Sequence, residues 1–80
     1  MKTKDAVKER IIELCREKDL TINGLATLAA LPPSTLKGII YDNSKNPGVV
    51  TIKILCDGLG ISLKEFFDAK VFDDLEQEIE

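Results

Sequence analysis

Apolar residues recur every three or four positions along most of the chain, and this spacing predicts amphipathic helices. The first helix is expected over about residues 4–18. Its apolar stripe is formed by Val7, Ile11, Leu14 and Cys15. The Lys, Arg and Glu residues between them are expected to face water, since mixed charges on a helix usually form its solvated side.

Residues 21–39 follow a different pattern, which predicts two short helices joined by a tight corner. Leu25, Ala26 and Ala29 share one face of the first helix, and Leu36 and Ile39 share a face of the second. The outward positions of the second helix are short or basic: Pro33, Ser34, Lys37 and Gly38. A short, exposed, non-acidic helix presented by such a corner fits a DNA major groove.

Two further helices are predicted after a polar loop at residues 42–48. One spans about residues 49–59, with Ile52, Leu55 and Cys56 facing inward, and the next carries Phe66 and Phe67. The pattern therefore predicts an all-α fold of five helices. In the acidic segment that follows, Phe72, Leu75 and Ile79 lie three and four positions apart. Three roles stay open for this stripe: a sixth helix, a dimer contact, or a disordered end.

Signals for helix beginnings and ends support these boundaries. Thr21 is expected to cap the second helix, and Ser62 with Glu65 forms a capping box before the fifth. Pro33 is favoured at a first helical position and makes Pro32 extended, so the pair begins the third helix. Gly60 fits a left-handed helix end. Gly24 is either a helix-weakening residue or a point where a phosphate or another helix comes close.

Charge is distributed unevenly along the 80 residues, a length that corresponds to one domain. The net charge is −3, which by itself argues against a nucleic-acid partner. However, all 11 basic residues lie within residues 1–70, and five of the 14 acidic residues lie within residues 73–80. Residues 1–72 thus carry eleven basic and nine acidic residues, a mild positive excess.

Residues that support catalysis or metal binding are scarce. The chain has no histidine, and its two cysteines, Cys15 and Cys56, form no CxxC pair and lie on predicted apolar faces. We interpret them as buried structural thiols rather than as metal ligands or a disulfide. The loop from Asp42 to Gly48 alternates oxygen-bearing residues, but Pro47 and Lys53 occupy the positions where a calcium loop needs Gly and Glu. No cofactor, metal, small-molecule ligand or enzyme activity is expected.

Targeting signals are also lacking. No apolar run approaches the roughly 20 residues that cross a bilayer, and no signal peptide is visible after Met1. A cytoplasmic protein without a membrane partner is therefore expected.

The order of these motifs resembles one family. Ala26, Leu36 and Ile39, with Ala30-Leu31 where Gly-Val is usual, resemble the helix-turn-helix of the phage-repressor (Cro/XRE) class. Asn46-Pro47, the helix at residues 49–59 and residues 60–67 resemble the last two helices of that domain. The resemblance covers about residues 4–68. It implies a compact five-helix, lambda-repressor-like DNA-binding domain at residues 1–70, followed by a short acidic extension at residues 71–80. It also implies a transcription regulator, usually a repressor, that binds double-stranded DNA as a homodimer.

The resemblance also implies which residues contact DNA. Residues at the outward face of the third helix would read bases: Pro33, Ser34, Thr35, Lys37 and Gly38. Residues at the second helix and around the following loop would contact the backbone: Thr21, Asn23, Tyr41, Asn43, Ser44 and Lys45. For Tyr41 two roles stay open: this contact to the DNA backbone, or a cover over the hydrophobic core.

A second function class is a protein-interaction or antitoxin-like module on the same fold, because fold does not fix function. The acidic total and the proline-led third helix favour it. Salt-dependent binding to DNA would discriminate between the two classes.

Overall fold

The described residues form five α-helices and one short 3₁₀-helix. The computed structural model describes residues 1–42 and 46–79, and no strand occurs in these two ranges. The helices are α1 (Thr3–Glu17), α2 (Ile22–Leu28), α3 (Pro33–Tyr41), α4 (Val49–Leu59) and α5 (Leu63–Phe67), and the 3₁₀-helix η1 is Lys70–Phe72. The all-α, five-helix prediction is confirmed, and α1 lies one residue from its expected position.

The predicted helix beginnings are present with their hydrogen bonds. The Thr21 hydroxyl oxygen accepts from the backbone N–H of Gly24 at 2.9 Å. The Ser62 hydroxyl oxygen accepts from the Glu65 N–H at 3.0 Å, and the Glu65 carboxylate accepts from the Ser62 N–H at 3.3 Å, which completes the capping box. These bonds satisfy backbone donors that have no partner within their own helix.

The proline pair begins α3 as predicted. Pro32 is the N-cap residue with φ −59° and ψ 135°, and Pro33 is the first helical residue. Pro33 has no N–H to leave unsatisfied at this position, and its ring fixes φ at a helical value. The N–H of Thr35 donates to the Pro32 carbonyl at 3.0 Å, closing the first turn.

Three helices end in the same left-handed turn. The φ angle is positive at Asp19, Ala30 and Gly60, with values of 56°, 54° and 72°. In each case the next N–H reaches back to a carbonyl near the helix end: Leu20 to Cys15 at 2.8 Å, Leu31 to Ala26 at 2.9 Å, and Ile61 to Cys56 at 3.0 Å. This is the Schellman arrangement, in which glycine is the most favourable residue at the left-handed position.

Replacement of Ala30 by glycine is expected to stabilise the domain by about 0.5–1 kcal/mol. Ala30 has a Cβ atom in the left-handed region, where an L-residue incurs a steric penalty of about 1–2 kcal/mol. Part of this gain is lost because glycine adds freedom to the unfolded chain. Urea unfolding measures the difference. Ala29→Gly is the control: Ala29 is buried with an ordinary φ of −85°, so A29G should be destabilising. Equal stability losses in A30G and A29G would contradict the prediction.

The core is formed by the apolar faces that the sequence pattern predicts. Every predicted inward residue of α1, α2, α3 and α4 is buried, and Phe66 of α5 is fully buried. The pattern missed Ile40 and Leu59, which are also buried. Burial raises the pKa of the Cys15 and Cys56 thiols. Both cysteines therefore stay protonated near neutral pH and are poor nucleophiles, as expected for structural residues.

Arg10 does not face water, and the prediction for this residue is wrong. Its side chain extends from α1 to the end of α5, and the residue is buried. Its Nε donates to the Phe66 carbonyl at 2.7 Å and its Nη2 donates to the Glu65 carbonyl at 2.8 Å. Its Nη1 pairs with the carboxylate of Glu13. A helical wheel cannot reveal this role, because the partner carbonyls come from a distant part of the chain.

Gly58 lies at a close contact between two helices, whereas Gly24 does not. A Cβ atom on Gly58 would lie 2.9 Å from the Ala29 nitrogen and 3.1 Å from the Leu28 carbonyl carbon, so α4 crosses the end of α2 too closely for a side chain at this position. At Gly24 the nearest atoms belong to its own cap, with Thr21 Oγ1 at 3.2 Å. No other helix therefore requires Gly24 to be glycine.

The tail contains one turn of 3₁₀-helix and no α-helix within residues 70–79. The Phe72 ring packs against Phe66 and Phe67, with centroids 6.2 and 5.0 Å away, and η1 lies against α1. Leu75 is half-buried and Ile79 is 79% exposed. The stripe therefore does not form a sixth α-helix, and its first member belongs to the edge of the core.

Candidate nucleic-acid interface

The α2–α3 corner presents one face of α3 to solvent. Leu36, Ile39 and Ile40 are buried against the core, and this fixes the rotation of the helix about its axis. Pro33, Ser34, Thr35 and Lys37 are exposed, and Gly38 is half-buried. Four of the five predicted base-reading residues are therefore exposed to solvent, and Gly38 is partly exposed.

The chemistry of this face is that of short hydrogen-bonding groups around one cation. Ser34 and Thr35 each offer a hydroxyl that donates and accepts, and Lys37 offers an ammonium that only donates. Lys37 is the only charged residue between Leu20 and Tyr41. The face therefore has no carboxylate to repel a phosphate, but its positive field is weak.

Two of the predicted backbone-contacting residues lie where α2 begins. Thr21 and Asn23 are exposed at the beginning of α2. The Thr21 hydroxyl oxygen is engaged in capping, so what it can offer another molecule is its O–H donor. Asn23 carries an exposed amide side chain, a group that can donate a hydrogen bond to an anion.

Tyr41 lies at the end of α3 and is 72% exposed. The interpretation as a core lid is therefore wrong, and its hydroxyl is available at the surface. Asn43, Ser44 and Lys45, which follow it, lie outside the described residues. Their role as backbone contacts stays a prediction from the sequence.

A cleft of about 370 Å³ borders the exposed face of α3 and was not predicted. Ser34, Thr35 and Gly38 line one side of it, and Asn46 and Thr51 line the side formed by the end of the loop and the first turn of α4. The polar groups of Asn46 and Thr51 thus lie near the base-reading face. The sequence places Asn46 in the polar loop and Thr51 in the fourth helix, and neither position carried a signal for a DNA contact.

Metal and membrane sites find no support in the described residues. Within residues 1–42 and 46–79, no group of three or more His, Cys, Asp or Glu side chains could hold a metal ion. In the same ranges, no helix has the length and apolar character needed to span a bilayer.

Comparison with known proteins identifies the family. Residues 10–71 match the Cro/C1-type helix-turn-helix DNA-binding domain. A solved structure, described as the crystal structure of the prophage Lp1 protein 11, is 41% identical in sequence and superposes with a TM-score of 0.79, over 94% of this chain and 100% of that one. No curated protein matches the chain. The chain belongs to the Cro/C1-type helix-turn-helix DNA-binding domains.

This membership confirms the resemblance that the sequence motifs indicated. The family is one of DNA-binding regulators and not of enzymes. The α2–α3 corner is the helix-turn-helix by its position in the fold, and α3 is its second helix. In helix-turn-helix proteins the second helix is the one that enters the major groove.

Proposed function

We propose that this protein is a sequence-specific transcriptional repressor that inserts α3 into the major groove of double-stranded DNA. The observation that supports this most directly is the exposed face of α3, which is free of acidic residues and includes Lys37. A side of a helix that carries short polar groups allows the backbone to approach base edges closely. The family membership supports DNA binding in general.

The residues of this face would have different roles. Lys37 would donate to O6 and N7 of guanine, and it would supply most of the base preference. Ser34 and Thr35 would donate to or accept from several bases, and so specify less. Pro33 offers only apolar contact, for example with a thymine methyl group, and Gly38 gives space for the groove wall.

Contacts to the phosphate backbone would fix the register of α3. Thr21 and Asn23 would bind one strand beside α2, whereas Tyr41 and the loop residues Asn43, Ser44 and Lys45 would bind the other. Such contacts position a protein but do not select a sequence. Asn46 and Thr51 are additional candidates, because they line the cleft beside α3.

Dimerisation on DNA would supply the missing specificity. One short helix reads only a few base pairs, and two copies related by a two-fold axis would read a palindrome with half-sites about one helical turn apart. We therefore propose a homodimer at least on DNA, which analytical ultracentrifugation of the DNA complex would test.

The alternative function is a protein-interaction or antitoxin-like module without strong DNA binding of its own. Exposed apolar side chains at the beginning of α4 favour it, since Val49 is 63% and Val50 is 69% exposed. The net charge of −3 points the same way. A salt-dependent gel shift with duplex DNA would support the first function, and its absence at low salt would support the second.

Replacement of Lys37 by alanine should weaken binding to the preferred site by about 1–3 kcal/mol and relax the preference at one base pair. The preferred sequence is first obtained by selection from random duplexes at two salt concentrations. Fluorescence anisotropy then compares the selected duplex with a scrambled one for both proteins. Unchanged affinity of K37A for both duplexes would show that α3 does not read bases through this residue.

Two other lysines serve as comparisons in the same experiment. Lys45→Ala should weaken binding to the selected and scrambled duplexes alike and lower the salt slope by about one unit, as expected for a phosphate contact. Lys64→Ala is the control, because Lys64 is exposed on α5, away from the corner. A sequence-selective loss in K45A, or an equal loss in K64A and K37A, would contradict the assigned roles.

A further inference from the structure

The two ends of the chain are bound to each other through acidic residues of the tail. We define the C-terminal strap as residues 73–79. Within it, the Glu76 carboxylate pairs with the Met1 ammonium at 3.1 Å, and the Glu76 N–H donates to the Met1 carbonyl at 3.0 Å. The Glu78 Oε2 accepts from the Thr3 hydroxyl at 3.0 Å and from the Thr3 N–H at 3.3 Å. The strap therefore places two carboxylates at the beginning of α1.

The Glu78 carboxylate also lies in the field of basic residues. The hydrogen bonds from the Thr3 N–H and hydroxyl lower the pKa of Glu78, and the charges of Lys2 and Lys4 lower it further. All of these groups are exposed or half-buried. The contact is therefore held by charge and hydrogen bonds in water, which are individually weak and easily exchanged for another anion.

The basic residues at the beginning of α1 are connected to the candidate DNA-binding face. Lys2, Lys4 and Glu78 border an open cleft of about 520 Å³ whose other side is formed by Asn46 and Pro47. The same Asn46 and Pro47 border the cleft beside α3. The strap thus ends next to the part of the molecule where the DNA backbone would pass if α3 entered the groove.

The strap is anchored at its beginning, because the preceding residues of η1 are packed against the domain. Phe72 lies against Phe66 and Phe67, and η1 packs on α1, so the acidic residues that follow stay tethered within a few residues' length of a fixed point on the domain. Such anchoring keeps their effective concentration near the lysines high. Both the strap and residues 1–9 lie outside residues 10–71, which match the family.

We propose that the C-terminal strap is an autoinhibitory element that competes with DNA phosphates for Lys2 and Lys4. The proposal rests on the proposed DNA binding. In the free protein, Glu78 borders the same cleft as these lysines, and Glu76 pairs with the ammonium group of Met1, the residue before Lys2. When DNA binds, a phosphate replaces the carboxylates and the strap leaves the beginning of α1. The strap lowers the affinity for all duplexes alike, because it acts on backbone contacts and not on α3.

The test uses the full chain with the double substitution E76Q/E78Q, which removes two charges while keeping the size of both side chains. Its affinity for a scrambled duplex at low salt should rise about tenfold, whereas the salt slope should change little, because Lys2 and Lys4 contact phosphates in the DNA complexes of both proteins. The matched control is D73N/D74N, which changes the net charge equally but alters no contact to residues 1–4. It should raise the affinity much less.

A double-mutant cycle gives a second measurement. K2Q/K4Q should weaken binding several-fold more in the E76Q/E78Q background than in the wild type, because the strap masks these lysines only when its carboxylates are present. Equal effects in the two backgrounds, or equal gains for E76Q/E78Q and D73N/D74N, would overturn the proposal. Circular dichroism of each variant establishes that it is folded.

The results distinguish an error in the strap proposal from an error in the proposed DNA binding. If the wild type shows no salt-dependent binding to any duplex and neither do the neutralised variants, the proposed function is wrong. If the wild type binds and its affinity is insensitive to E76Q/E78Q, the proposed function stands and the strap proposal is wrong.

Discussion

Replacement of Arg10 by alanine is expected to lower the free energy of unfolding by about 3–5 kcal/mol. Arg10 donates from two nitrogens to the carbonyls of Glu65 and Phe66, and it is only 8% exposed. Both carbonyls lie near the end of α5. The Glu65 carbonyl also accepts from the Asp68 N–H at 3.3 Å, so the Phe66 carbonyl is the acceptor that depends on Arg10. Each hydrogen bond from a charged donor contributes about 1.5–3 kcal/mol, and a buried acceptor left without a partner is costly.

The loss of stability in R10A should exceed that of the broken hydrogen bonds, because α5 is short. A helix of five residues is not stable alone, and its position depends on what it packs against. Without Arg10, the anchoring of Phe66 in the core would weaken together with the end of α5. For a domain of this size the total stability is about 4–12 kcal/mol, so R10A should be partly unfolded at modest urea concentrations.

Urea and thermal unfolding followed by circular dichroism measure this effect. Arg16→Ala is the matched control, since Arg16 lies on the same helix and is exposed, and it should change the stability by less than about 0.5 kcal/mol. Arg10→Lys should fall between the two, because an ammonium group keeps the charge but cannot reach both carbonyls as a planar guanidinium does. The partly exposed pair with Glu13 adds little. A loss under about 1 kcal/mol in R10A would mean that water replaces the guanidinium.

Replacement of Gly58 by alanine is expected to destabilise the domain by about 2–3 kcal/mol, although alanine is the better helix former by about 1 kcal/mol. The added Cβ atom would lie 2.9 Å from the Ala29 nitrogen and 3.0 Å from the Ala29 Cα. These are backbone atoms, which cannot rotate away as a side chain can. The helix propensity is therefore outweighed by the overlap, and α4 must move away from α2.

This movement should also affect DNA binding, since Ala29 belongs to the corner that sets the position of α3. G58A should bind the selected duplex more weakly even at a temperature where it is fully folded. The matched control is Gly48→Ala, because a Cβ atom at Gly48 meets nothing within 4 Å and its φ of −76° suits any residue. Unfolding and anisotropy measurements on both variants provide the comparison. A G58A protein as stable as the wild type would contradict the close contact.

The sequence determined the helices and much of their rotation. Thr21, Pro33, Gly60 and Ser62 act on backbone groups within a few residues of themselves, so their effect can be inferred without knowing the fold. The 3.6-residue period of apolar positions likewise predicted which faces are buried. The outward residues of α3, including Lys37, followed from the same pattern. That they read bases stays a prediction.

The tertiary structure decided the features whose partners are distant in the chain. Arg10 looked like a surface residue until the fold placed it against carbonyls 55 and 56 positions away. Gly58 looked unremarkable until α4 crossed the end of α2. The apolar spacing of the tail predicted a helix as one possibility, but the packing of Phe72 and the hydrogen bonds of Glu78 to Thr3 hold it in a non-helical path. Sequence patterns report local backbone preferences, whereas these positions depend on contacts that exist only after the chain has folded.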